Sequence, residues 1–134
     1  MNKTGIILKT EKIRKEFPGV IALNNVDFEL RRGEVHAICG ENGAGKSTFC
    51  NILTGIYTQD AGEIRFENSS ISFHHPAEAL NAGIRMLYQE RNLIPYLTGA
   101  QNILLREEPL KMGFLLDEQE ILRRAEELKA LYNL

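Results

Sequence analysis

The sequence predicts an α/β fold on three observations: alternating apolar and polar residues in the first third, a strand running through a glycine-rich loop into a helix, and a helical last third. "GIILKTEKIRKEF" is strand-like, "FPGV" turns the chain, and "ALNNVDFEL" sets Val26, Phe28 and Leu30 on one face with polar neighbours on the other. Such alternation leaves one face to solvent, as in antiparallel sheet. "RRGE" turns the chain again, and "EVHAICG" then reads as a short, mostly apolar strand suited to the interior of a sheet.

From Lys46 the period changes. Phe49, Ile52 and Leu53 fall at helical spacing until Gly55 supplies a C-terminal stop. "DAGEIRFEN" reads as turn and strand, and Pro76 opens a short helix that runs to Ala82, with Gly83 just past its end. "IRMLYQE" is a further strand ending at Gln89. "DEQEILRRAEELKALYNL" begins with Asp117 as N-cap and Glu120 three residues on, the pattern of a capping box. Ile121, Ala125, Leu128 and Tyr132 then share one helical face, and Asn133 is placed for a left-handed stop.

A chain of 134 residues supports one domain with its own core. With a formal net charge of -2 it lacks the basic field that gathers nucleic acid or anionic lipid, so any polyanion must be held by a built site. No apolar run approaches the ~18 residues of a membrane span, and the first residues meet charges too early for a signal peptide, so the expected compartment is the cytosol. Cys39 and Cys50 lack a paired spacing and read as small buried apolar residues. His36, His74 and His75 bring no further ligands with them and are assigned to no site.

"GENGAGKS", Gly40 to Ser47, fits G-x-x-x-x-G-K-[ST], the phosphate-binding P-loop, with strand and helix on the required sides. Gly40, Gly43 and Gly45 let backbone N–H groups turn inward and approach phosphate oxygens. Lys46 adds a point charge for the β and γ phosphates, the Ser47 hydroxyl is a ligand for Mg²⁺, and the helix that follows points its positive end at the anion. Asn42, Ala44 and Thr48 complete the nucleotide-binding stretch. A nucleoside triphosphate with magnesium is therefore the expected ligand.

The words around this loop narrow the reading. "FPGVIALNNVDFELRRGEVHAICGENGAGKSTFCNILTGIYTQDAGEI", followed by "YQERNLIPYLTGAQNILL", resembles the first ATP-binding cassette of the sugar-importing ABC transporter ATPases that serve ribose, galactose, arabinose or xylose. The resemblance runs from about Lys9 to Leu134. It implies a P-loop NTPase of the ABC cassette type: an antiparallel β subdomain, an incomplete parallel core sheet, and the start of a helical subdomain. Residues 1–90 would hold the β subdomain and core, and residues 91–134 the exit toward the helical subdomain. It also implies that Phe17 stacks on adenine, that Gln89 contacts Mg²⁺ and the attacking water, and that Leu93, Ile94, Tyr96 and Leu97 approach a membrane subunit. Implied partners are transmembrane permease subunits, a second cassette and, indirectly, a sugar-binding protein; the implied location is the inner face of the cell membrane. The chain departs from the family pattern at Phe49, Cys50, Arg91 and Gly99.

Hydrolysis needs more than a P-loop: a second magnesium-ordering carboxylate, a group that orients water, and donors reaching the γ phosphate from the far side. The family's LSGGQ signature occurs nowhere in the sequence. "GFLLDE", Gly113 to Glu118, imitates a strand ending in a catalytic carboxylate, but Asp117 is already committed as a helix cap. The chain alone is thus expected to bind Mg-ATP without turning it over, with no catalytic residue of its own, while the intact protein would be a sugar-transporting ATPase. The ATPase of a nucleoside-type importer, or an inert nucleotide-binding fragment, are the alternatives. Strands meant for a parallel interior would lack neighbours here, so the isolated chain is expected to be marginal or self-associating.

Overall fold

The computed structural model describes residues 5–88 and 93–133, and its contacts divide the chain into two units, Met1–Leu87 and Tyr88–Leu134. The first unit is built on two long strands, β1 (Ile6–Phe17) and β2 (Val20–Arg31), joined by the tight turn at Pro18 and Gly19. Their antiparallel register sets Lys15 opposite Leu23, Glu16 opposite Ile21 and Phe17 opposite Val20. After β2 come helix α1 (Lys46–Leu53), strand β3 (Ala61–Phe66), the short strand β4 (Ser69–Ile71) and helix α2 (Pro76–Asn81). The sheet order is β2-β1-β3-β4, antiparallel throughout.

The alternation read from the sequence has its physical result in the core. Leu8, Ile13, Leu23 and Ile64 from the sheet meet Phe49 and Ile52 from α1, and all six are buried. Phe28 stands edge-to-face on Phe49 with ring centroids 5.4 Å apart, which closes the helix against β2. Each such aliphatic side chain contributes roughly 1.5–3 kcal/mol when withdrawn from water. Phe49, one of the departures from the family pattern, is thus a core residue of this chain.

The segments 34–40 and 84–89, expected as strands, form no strand and join no sheet where they fall among the described residues, Gln89 lying outside them. Parallel strands complete their hydrogen bonding only through neighbours on both sides, and those neighbours are not among the elements described. Val35 and Leu87 are consequently 99% exposed. Cys39, read as a buried apolar residue, is exposed because it lies on the first of these segments, while Cys50 on α1 is partly covered and both thiols are free.

The second unit contains helix α3 (Gly99–Ile103), a hairpin of β5 (Leu110–Lys111) and β6 (Leu115–Leu116), and helix α4 (Glu118–Tyr132). Asp117 caps α4 by accepting from the Glu120 N–H at 3.2 Å, and Asn133 ends it in the left-handed region at φ 53°. Glu120 departs from the expected reciprocal cap: its carboxylate is held by the Arg123 and Arg124 guanidinium groups on the next turn. The same two arginines hold its pKa down at about 2, and the Glu120 amide holds Asp117 below its ordinary value. Carboxylates with depressed folded pKa values stabilise above their unfolded values near 4 and lose that contribution as pH falls through the folded ones. Helicity from α4, followed by circular dichroism, should therefore decline between about pH 4.5 and 2, and Asp117→Ala should lower it at neutral pH. Unchanged helicity in both experiments would contradict this capping scheme.

Candidate functional site

The loop between residues 40 and 46 is shaped by backbone angles that favour glycine. Gly43 and Gly45 take φ values of 85° and 86°, and Gly45 is the N-cap of α1. A Cβ at Gly45 would meet the Ala22 carbonyl oxygen at 2.4 Å and Leu23 Cδ2 at 2.8 Å, so the loop lies directly on β2. Around Gly43 there is open space, and only its dihedral angle asks for glycine. The Ala44 N–H donates to the Glu41 carbonyl at 3.2 Å, which closes the turn.

Helix α1 begins at Lys46 with no side-chain cap and no acidic residue in its first turn. Its leading N–H groups and the positive end of its dipole are therefore available to an anion. Lys46 folds back along the loop, its Nζ donating to the Gly40 carbonyl at 2.7 Å and the Glu41 carbonyl at 2.8 Å. An ammonium carries three protons, which leaves one to direct elsewhere. Ser47 is exposed at the same end, and Thr48 is half-buried one residue on; Asn42 and Ala44 are exposed on the outer side of the turn.

These groups suit phosphate better than a bare metal ion. Among the described residues no three His, Cys, Asp or Glu side chains are grouped to hold a cation. The Ser47 hydroxyl is a hard oxygen of the kind Mg²⁺ accepts, and one such ligand fits an ion that arrives with phosphate oxygens and water. His36 sits beside Glu34, Nδ1 to Oε1 at 3.0 Å, and against Phe28 with centroids 4.7 Å apart. The His74 N–H donates to the Glu78 carboxylate at 2.8 Å, and His75 is the N-cap of α2.

Phe17 is the last residue of β1 and is half-buried. Because Lys15 pairs with Leu23, and Leu23 touches Gly45, Phe17 lies two residues further along the strand, ~7 Å from the level at which the loop crosses the sheet. Its ring stands edge-to-face on Tyr57, centroids 5.2 Å apart. Gln89 lies outside the described residues, as does Arg91.

A glycine loop and a helix pointing its positive end at that loop are parts of a phosphate cradle, and the family model for ABC transporters matches residues 23–134, which contain both. The chain belongs to the ABC transporter family. It is 53% identical over 123 residues to an Agrobacterium fabrum protein named for ribose/galactose/methyl galactoside import and ATP binding, covering 91% of this chain and 24% of that one. A similarly named Rhizobium johnstonii protein is 50% identical over 129 residues, with 96% and 25% covered. The ABC chain thus spans about a quarter of the length of these relatives.

Solved ABC cassettes share its fold. One ATP-binding cassette of an ABC transporter superposes with a TM-score of 0.76 at 31% identity, covering 94% of this chain and 53% of that chain. Another, a dimeric cassette bound to ADP and Pi in a post-hydrolysis state, gives 0.69 at 26% identity, with 95% and 57% covered.

In the second unit, sequence reading passed over the residue that organises the "NLIPYLT" turn. Asn102 on α3 donates through Nδ2 to the carbonyls of Ile94, Leu97 and Thr98 at 3.1, 3.2 and 3.0 Å, and its Oδ1 accepts from the Ile94 N–H at 2.8 Å. A full capping box joins Thr98 and Gln101. The T-x-x-Q spacing was a readable signal for that box; the Asn102 contacts had none, because they depend on how the turn folds back. This network leaves Leu93, Ile94 and Tyr96 exposed, Tyr96 at 97%.

Proposed function

We infer that this chain is the nucleotide-holding N-terminal part of the first cassette of a sugar-importing ABC ATPase. The observation that carries the reading is the cradle itself: an uncapped helix end, a loop held open by left-handed glycines, and a lysine folded over it. Backbone N–H groups of residues 43–48, with Gly40 allowing the close approach, would bind the phosphates of ATP, Lys46 would take the β and γ phosphates, and Ser47 would ligate the accompanying Mg²⁺. Phe17 would bear on the adenine ring, and Gln89 would reach Mg²⁺ and the attacking water.

In the whole protein, ATP hydrolysis between two cassettes would drive monosaccharide uptake through permease subunits fed by a sugar-binding protein, at the inner face of the cell membrane. The sugar-import names of relatives about half identical to this chain support the cargo class, and the dimeric ADP-bound cassette supports the pairing. No helix among the described residues is long and apolar enough to cross a membrane. Leu93, Ile94, Tyr96 and Leu97 are the proposed contact with the permease.

Asp117 is engaged at the start of α4 and is assigned no hydrolytic role. ATP binding and phosphate release measured on the same preparation test this directly. The expected result is saturable Mg-ATP binding with release no greater than from Lys46→Ala. Turnover that depends on Lys46 would overturn the assignment of the chain as a holding part without its own catalytic base.

A further inference from the structure

Phe17 does not stand alone at the end of β1. The Tyr57 ring meets it edge-to-face at 5.2 Å, and the Lys15 ammonium lies 5.6 Å from the centre of the Phe17 ring. Lys15 is in turn fixed by Asp60, Nζ to Oδ1 at 2.8 Å, and the other oxygen of the same carboxylate accepts from the Glu16 N–H at 2.7 Å. Tyr57 and Asp60 both belong to the loop between α1 and β3, so one loop grips the last three residues of β1 from outside the strand pairing.

That loop is anchored to the helix of the cradle. The N–H groups of Ile56 and Tyr57 both donate to the Asn51 carbonyl, at 2.9 and 3.2 Å. Gly55 turns the chain at φ 72° against the His75 carbonyl, which a Cβ there would meet at 2.8 Å. Helix α1 therefore has the phosphate loop at its first residue and the aromatic grip just beyond its last.

We propose that Tyr57 is a positioning residue for the nucleotide base: with Lys15 and Asp60 it holds the Phe17 ring in one orientation at a fixed distance from the phosphate cradle. This rests on the reading of Phe17 as the base contact given above. An aromatic ring on a strand end otherwise turns about its side-chain bonds, and ordering it on binding would cost affinity; a ring already packed edge-to-face avoids that cost.

The test separates base from phosphates by titrating the chain with ATP and with inorganic tripolyphosphate, which has no base. Tyr57→Leu should weaken ATP roughly 2- to 10-fold, the range an edge-to-face aromatic pair accounts for, and leave tripolyphosphate unchanged. Tyr57→Phe keeps the ring and should restore ATP affinity. Unchanged ATP affinity in Tyr57→Leu, or an equal loss for both ligands, overturns the proposal. Phe17→Ala reports on the reading beneath it: if that substitution leaves ATP binding intact while Lys46→Ala abolishes it, the cradle holds phosphate but the base lies elsewhere.

Discussion

Replacing Lys46 with alanine should lower the affinity for Mg-ATP by roughly 10- to 100-fold, the equivalent of losing charge-assisted hydrogen bonds worth ~1.5–3 kcal/mol. The side chain is half-buried and takes no part in the core cluster, so the fold should survive the change. Its two bonds to the Gly40 and Glu41 carbonyls do tie the loop together, and their removal would loosen the cradle besides removing a charge. Lys46→Arg separates these effects. A guanidinium keeps the charge but not the compact ammonium that fits between two carbonyls, so it should recover only part of the affinity. Calorimetric titration reads both variants, and wild-type affinity in Lys46→Ala would remove the lysine from the site.

Gly45→Ala should be the most damaging single substitution in the loop. An alanine there must hold a left-handed backbone, ~1–2 kcal/mol, and also push its Cβ into the Ala22 carbonyl and the Leu23 side chain. Overpacking of that kind adds roughly 1–3 kcal/mol, and because Leu23 belongs to the core the disturbance is carried into the sheet. Gly43→Ala is the control: the same sign of φ in open space, so only the backbone term of ~1–2 kcal/mol applies. Urea denaturation should rank wild type, Gly43→Ala and Gly45→Ala in falling order of stability. Equal losses for the two variants would mean that the loop does not bear on β2.

What could be read in advance was local. The β1–β2 pair follows from alternation at Val26, Phe28 and Leu30, and α1 from the spacing of Phe49 and Ile52 after the glycine loop. Helix α4 follows from Asp117 and the apolar face of Ile121 and Ala125, both buried. The segments around Val35 and Leu87 show the limit of such signals: an apolar run states that a strand would be welcome in a sheet, but a ladder exists only where partners lie alongside. Cys39 was misplaced for the same reason. The β5–β6 hairpin, two residues on each strand, is too short for any periodicity to register.

For the proposed site, the spacing of Gly40, Gly43, Gly45, Lys46 and Ser47 was enough to suggest a cradle, because the chemistry such a motif implies is carried by backbone and by one short stretch of chain. Contacts made by residues far apart in sequence were not legible. Leu23 beneath Gly45, Tyr57 against Phe17 and Asp60 on Lys15 all depend on β2 and the loop after α1 meeting the end of β1. They turn a phosphate-binding motif into a site with a proposed base end and a phosphate end.

We propose that residues 40–48 hold the phosphates of a nucleotide at the start of α1. Backbone amide resonances of Gly43, Gly45, Lys46, Ser47 and Thr48, followed by NMR as Mg-ATP is added, test it most directly. Saturable shifts concentrated on these amides, reproduced by tripolyphosphate and lost in Lys46→Ala, are the predicted result. Saturable ATP binding that leaves these five amides unmoved would place the phosphates elsewhere on the chain.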